Sequence, residues 1–431
     1  MTPPPELGEI APQAGPAFSD QTSVTAADVT RAAGVAPLVV ATLQNQAGIS
    51  AAASRVRARM SGVAEQQAGY LPQVSAGLVS DLSGNDSASP QLQLTGSQMV
   101  YDFGRTGRNV SRQVLLAQKA HLDFLETVDD ELANVMLLVA DYESQTRQLA
   151  LGRDRLARMV TLRRLVQDRI REGAATDGSL LDADRRVQTA ETLLLRTELA
   201  LASARREISL ETGMTVRDGG SGIALGRMDC GTTPLDPDRV VAVQGAHLDM
   251  ALADLDLSNA ATERLPTVAL EASTARDLSD LSQGSDVNFG LRVNTRLFQG
   301  GATQSRTEAA RNNATAVTAN LTGARQRAQR SHAAALDAIA SQRVLTQAIG
   351  AQIDMLDRTR ALYLRQFVEL GTKSIDDVMT VEEEYHQTRL DLETSRVEVV
   401  KEQVNCLAAE GRLRHFLGIE DATAFGLALR Q

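Results

Sequence analysis

The chain has 431 residues, a formal net charge of −10, 3% aromatic residues and no tryptophan. That charge argues against a general nucleic-acid binder, which needs a basic face. So few large side chains also suit long helices packed side by side better than the two or three compact cores this length would suggest.

The first 25 residues, taken as a tail over 1–25, hold no basic start followed by an apolar run, so no signal peptide is visible. No apolar run approaches the length of a membrane-spanning helix, which leaves open a membrane barrel of short alternating strands. A first structural repeat is expected over 26–213: a helix, a β-hairpin over about 72–103, and a helical hairpin with its tip at about 173–179. Pro72 suits the change from helix to strand, because proline donates to neither ladder. Leu92, Leu94 and Val100 alternate with Gln91, Gln93 and Tyr101, although Gly96 and Gln98 blur the apolar side. From Gly104 to Glu172 there is no proline, and Leu149, Leu156, Met159, Leu162, Val166 and Ile170 recur at helical spacing. At 1.5 Å per residue this is about 100 Å of helix. It breaks at Gly173, where a helix C-terminus favours a left-handed residue. A heptad ladder of Leu180, Val187, Leu194, Leu201 and Ile208 then returns.

A linker over 214–239 leads to a second repeat over 240–417, with a β-hairpin over about 266–298 that starts at Pro266 and a hairpin tip at about 371–377. Phe289, Leu291, Val293 and Leu297 alternate with Asn288, Gly290, Arg292, Asn294 and Arg296. The outgoing arm carries Leu345, Ile349, Ile353 and Leu356 on one stripe and breaks at Gly371. Ser374 and Asp377 fit a capping box that restarts the helix. The returning ladder is Val378, Tyr385, Leu392, Val399 and Cys406, and residues 418–431 are taken as a second tail. Pro72 and Pro266 stand 194 residues apart, Phe103 and Phe298 195, Gly173 and Gly371 198, so the chain is an internal duplication. The expected fold is mainly α with membrane β. Four strands cannot close a barrel alone, so their edges must pair with other chains.

No catalytic constellation or cofactor fingerprint appears. His121, His247, His332, His386 and His415 are scattered without metal-ligand spacing, so no metal site is expected. Glu382 to Glu384 are read as a solvated helix face. Two cysteines exclude a disulfide framework; two separate thiols are expected at Cys230 and Cys406, with one bridge as the alternative.

The Leu71-Pro72 and Leu265-Pro266 junctions, "YDFGRTG" at 101–107, "LFQGG" at 297–301 and the two tips resemble the TolC family of outer-membrane channels, over a span from about Asp28 to Gly418. The resemblance implies a passive homotrimer without cofactor in the outer membrane of a Gram-negative bacterium. Each chain would give four strands to a twelve-stranded barrel in the lipid and long helices to a periplasmic α-barrel. It also implies a periplasmic adaptor and an inner-membrane ABC exporter or proton-driven pump as partners. At the tips it implies a gate: Lys373 falls where many members have arginine, Asp377 on a ring aspartate, with Asp376 beside it and Asp177 and Asp182 on the neighbouring tip. Val368, Thr380 and Ser179 depart from that pattern. The segment "GTKSIDDVMTVEEEYHQTRLDLETSR" looks more like the type I secretion members, so a duct for secreted proteins is expected. A small-molecule efflux duct is the alternative, and a periplasmic adaptor or coiled-coil scaffold the second.

Overall fold

The computed structural model describes residues 22–25, 29, 34–80, 90–215, 228, 230–231, 234–277, 286–296 and 298–430. Asp28, Leu297, both turns between paired strands, most of the N-terminal tail and much of the linker lie outside them. The chain divides into two compact units that each draw on both repeats. One contains Ala51–Leu125 and Val241–Gln326; the other contains Phe18–Ser50, Glu126–Val240 and Arg327–Gln431.

The first unit is built on one antiparallel sheet of β1 (Gln73–Ser80), β2 (Pro90–Tyr101), β3 (Thr267–Asp277) and β4 (Val287–Asn294), in that order. Pro72 and Pro266 each stand one residue before a strand. The two hairpins join where β2 pairs with β3, Leu94 facing Thr274 and Gly96 facing Ala272. Cross-strand partners share a face. Leu78 therefore lies with Leu92, Leu270 with Leu291, and Ala272 with Phe289. This face is apolar and bare, with Phe289 at 75% exposure. The opposite face is polar and carries an Arg292–Glu271 ion pair at 2.7 Å. Among the described residues the outer edges of β1 and β4 have no partner strand.

A register shift between Met99 and Tyr101 corrects the simple alternation expected for β2. Met99 faces Ala269, whereas Tyr101 faces Val268, so the extra residue swings Tyr101 onto the apolar side. Its ring meets that of Phe103 at 4.7 Å.

The junctions that follow the sheet correct the alignment of the repeats. Phe103 and Gly104 have φ of 55° and 77°; Gly300 and Gly301 have 58° and 86°. The next residues start α3 (Arg105–Arg171) and α6 (Ala302–Arg365). Arg105 N donates to Asp102 O at 3.3 Å, and Ala302 N to Gln299 O at 3.1 Å. The counterpart of Phe103 is thus Gly300, not Phe298, which is 89% exposed. Asp102 reinforces its turn by accepting from Gly104 N at 3.0 Å and Thr106 N at 2.6 Å. The repeats are also tied by Arg108 of α3, which donates to Asn259 and Thr262 of α5 (Val241–Thr262) at 2.7 and 2.6 Å.

In the second unit, the later part of α3 with α4 (Asp177–Thr212) and the later part of α6 with α7 (Ile375–Ala409) form two helical hairpins. No helix among the described residues is long and apolar enough to cross a membrane. After α7 comes α8 (Leu413–Leu417), and residues 418–431, read as a tail, are packed: they form a two-stranded β5 (Thr423–Ala424) and β6 (Leu427–Ala428), and Ile419, Ala424 and Leu429 are fully buried. Arg414 holds this cap by donating to Asp129 at 2.8 Å and to Leu429 O. Burial pushes the Asp129 carboxyl up despite that partner. The expectation of two separate thiols is also overturned. Cys230 and Cys406 are joined in a disulfide with their Cα atoms 6.0 Å apart, a span disulfides favour.

Because Gly301 sits in the left-handed region at φ 86°, Gly301→Val is expected to cost about 1–2 kcal/mol. Thermal unfolding of the variant beside a Gly245→Ala control, whose added methyl meets nothing, checks this.

Candidate functional site

Both hairpin tips are short because a left-handed glycine ends one helix and a hydroxyl residue starts the next. At the first, Gly173 takes φ 74°, and Ala174 N reaches back to Arg169 O at 2.8 Å. Thr176 then caps α4 by accepting from Ser179 N at 3.3 Å. At the second, α6 widens into a π-helical turn over Gln366–Leu370 and ends at Gly371, φ 62°. Ser374 and Asp377 close a capping box: Asp377 N donates to Ser374 Oγ at 3.1 Å, and Ser374 N to Asp377 Oδ2 at 3.0 Å.

The two tips of one chain are packed together. Met159, Leu162 and Val166 of α3, Ala183 and Ala190 of α4, and Phe367, Val378 and Met379 form one buried cluster. Arg169 adds a polar tie at its end, donating to Phe367 O at 3.2 Å and Val368 O at 2.5 Å. Its guanidinium also lies 5.3 Å from the centre of the Phe367 ring.

The charges near the tips converge on Arg186, which sequence reasoning missed. Its side chain is 9% exposed and donates to Asp182 at 2.8 Å, to Glu383 at 2.6 Å, to Asp376, and to Thr380 Oγ1 at 3.3 Å. One α4 cation therefore collects two carboxylates from α7. Burial alone would lower the Arg186 pKa, but Asp182, Glu383 and Asp376 together raise it. A second layer centres on Glu382, fully buried, which accepts from Arg158 at 3.0 Å and Arg360 at 2.9 Å. Glu382 and Glu383 are thus not a solvated face; only Glu384 of the three is exposed. His386 stands 3.7 Å from Glu382, and burial depresses its pKa to about 4 against the pull of that carboxylate.

The sequence-selected residues divide accordingly. Asp182 and Asp376 meet through Arg186, while Asp377 closes the helix cap and Asp177 is exposed in the first turn of α4. Lys373 lies over the Tyr363 ring at 4.2 Å and stands 4.0 Å from Asp377. The available signal for Arg186 was its place four residues after Asp182 and beside the seam residue Val187, where a charge is drawn under the returning ladder.

Comparisons with known proteins agree with this architecture. Residues 38–213 match the outer membrane efflux protein family. Solved structures share the fold over nearly the whole chain. CusC, described in terms of folding and transmembrane channel formation, superposes with a TM-score of 0.80 at 17% identity, covering 93% of this chain and 99% of that one. The outer membrane protein VceC of Vibrio cholerae gives 0.77 at 14%, covering 91% and 99%. The open state of the Neisseria gonorrhoeae MtrE outer membrane channel gives 0.75 at 13%, covering 93% and 95%. No curated protein matches by sequence. The fold is that of the TolC-type outer-membrane channels. The family match falls on the first repeat of the chain.

Two outcomes follow at the tips. Arg186→Gln leaves Asp182, Asp376 and Glu383 without their shared cation and should destabilise the paired hairpins by roughly 2 kcal/mol, read as a lowered unfolding midpoint. Acid should act in the same direction. The Asp182 carboxyl is held down by hydrogen bonds from Arg186 and Arg185, so its contribution is present above the ordinary carboxylate pKa and is lost as pH falls through the lowered value. His386, neutral in the fold, adds a loss as pH drops from 6.5 towards about 4, because only the unfolded chain gains the proton there. A pH series of unfolding midpoints should show both losses, and His386→Gln should remove the upper one.

Proposed function

We propose that the chain is one protomer of a homotrimeric outer-membrane export duct that is passive and opens at its hairpin tips. The observation that carries this reading is the sheet: among the described residues it has four strands, two unpaired edges and a bare apolar face opposite a polar one. Such a sheet is satisfied in lipid when copies of the chain complete a barrel whose apolar side faces outward. Exposed Leu181, Leu195, Leu199, Val344 and Met355 on the hairpins supply further apolar surface for neighbouring copies. A periplasmic adaptor would dock on the helices, and an inner-membrane ABC exporter or proton-driven pump would supply the energy.

For the cargo, the family match supports small-molecule efflux. The tip segment from Gly371 to Arg396 supports protein secretion as the second reading, because it resembles the secretion members. Deleting the gene separates them: sensitised growth and retained dye mark efflux, and loss of a protein from the medium marks secretion.

At the gate, Lys373, Asp376, Asp377, Asp177 and Asp182 would each be repeated around a threefold axis. Exposed carboxylates so arranged attract cations and bind multivalent ions. The purified chain should behave as a trimer by light scattering and conduct ions in planar bilayers. Lys373→Glu, which removes the Tyr363 contact and sets a carboxylate against Asp377, should raise single-channel conductance. Asp376→Asn with Asp377→Asn should reduce cation selectivity and multivalent block. A monomer without conductance would end the duct reading; parental behaviour in both variants would end the gate assignment alone.

A further inference from the structure

Away from the tips, four ligand-bearing side chains from three segments meet in the second unit. Cys406 and Glu410 stand one turn apart at the end of α7, His332 comes from α6, and Cys230 from the segment that joins the repeats. One donor atom from each lies within 4.8 Å of all the others. His332 Nε2 is 2.9 Å from Glu410 Oε1, and Cys230 Sγ is 3.5 Å from the same oxygen. Cys406 and Glu410 are buried, the other two half-buried. Arg412 reaches Glu410 Oε2 at 3.2 Å, which leaves Oε1 as the oxygen turned to the cluster.

The backbone is shaped to bring Cys230 in. Gly231 takes φ 79°, its N–H donates to Glu410 Oε1 at 3.3 Å, and a Cβ there would stand 2.4 Å from Leu336 Cδ2. Only glycine allows that approach. Ala335 and Ile339 pack around Cys406 on the other side.

We propose that, when the Cys230–Cys406 bond is reduced, the two thiolates, the His332 imidazole and the Glu410 carboxylate bind one zinc-class divalent ion. Two sulfurs, one nitrogen and one oxygen are a tetrahedral zinc donor set, and the carboxylate and imidazole disfavour a monovalent soft ion such as Cu(I). In a tetrahedral site with bonds of about 2.0–2.3 Å the donors stand roughly 3.3–3.8 Å apart, so the cluster closes with small side-chain shifts. Reduction takes two electrons and two protons from an external dithiol, which leaves as a disulfide. The ion then displaces the two thiol protons to solvent. Disulfide and metal are mutually exclusive: the disulfide ties the joining segment to the end of α7, and the metal would tie α6 to them as well through His332.

The test uses the full chain in detergent, freed of metal with a chelator, either oxidised or reduced with a phosphine under anaerobic conditions, and titrated with Co2+ and then Zn2+. The expected result is one Co2+ per chain in the reduced protein only, with a thiolate-to-cobalt charge-transfer band and the intense visible bands of a tetrahedral ion, bleached by Zn2+. His332→Ala and Glu410→Gln should each weaken binding by at least about tenfold, since even outer-shell changes cost that much. Reduced protein that shows two titratable thiols but no such bands would overturn the proposal. So would binding that His332→Ala and Glu410→Gln both leave unchanged, because the ion would then sit on the cysteines alone.

Discussion

A strand edge carries a row of backbone donors and acceptors that must find partners, and a sheet with only two hairpins has two such edges. Here that constraint meets a second one: the sheet bares its apolar side chains on one face and carries an Arg292–Glu271 pair on the other. In water such an element would be an aggregation site. In lipid, the backbone groups of such an edge would have to be paired by further strands. The polar junctions around it follow from the same requirement. Arg108 binds Asn259 and Thr262, and Glu263 accepts from Arg296 and Arg306 at 2.5 and 2.6 Å, so charge is concentrated where the strands give way to helices.

The duplication is a duplication of backbone conformation more than of side chains. The turn from sheet into long helix uses two consecutive left-handed residues in both repeats. In one copy they are both glycine, and in the other the first is Phe103. A phenylalanine there is strained by about 1–2 kcal/mol per left-handed residue, an amount its edge-to-face contact with Tyr101 can partly offset. The hairpin tips vary the same theme: Thr176 and Ser374 both cap the returning helix, but only Ser374 has the reciprocal carboxylate, and only the second tip passes through a π-helical turn. Arg169 reaches the carbonyls of that wider turn.

Charge under the tips is layered. Arg186 near the tip gathers half-exposed carboxylates, with Asp376 at 66% side-chain exposure, whereas Glu382 below it is shut away between two arginines and an uncharged histidine. Exposed pairs contribute little and exchange partners readily, while a buried carboxylate that loses a partner is costly. The outer layer is thus suited to rearrangement and the inner one to keeping α3, α6 and α7 in register.

The sequence alone determined the two strand hairpins, the long helices and their breaks, in chain order. Period 2 around Phe289 and Leu291, period 3.6 through Leu156 to Ile170, the proline and glycine punctuation and the repeat offset are local properties, readable because each depends on neighbours within a few residues. The family resemblance rested on those same pieces. What only the tertiary structure decided was which distant groups meet. The β-bulge that turns Tyr101 outward depends on the partner strand, and the pairing of Phe103 with Gly300 shows in backbone angles, not in residue type. Arg186 and Glu382 look like ordinary helix charges until α4, α3, α6 and α7 are side by side. Residues 418–431 read as a tail because nothing in that segment reveals the Asp129 that receives Arg414. Cys406 and Glu410 stand one helical turn apart, but Cys230 and His332 have no ligand spacing to them along the chain, since that proximity is set by helix packing and by the one glycine that lets the joining segment approach.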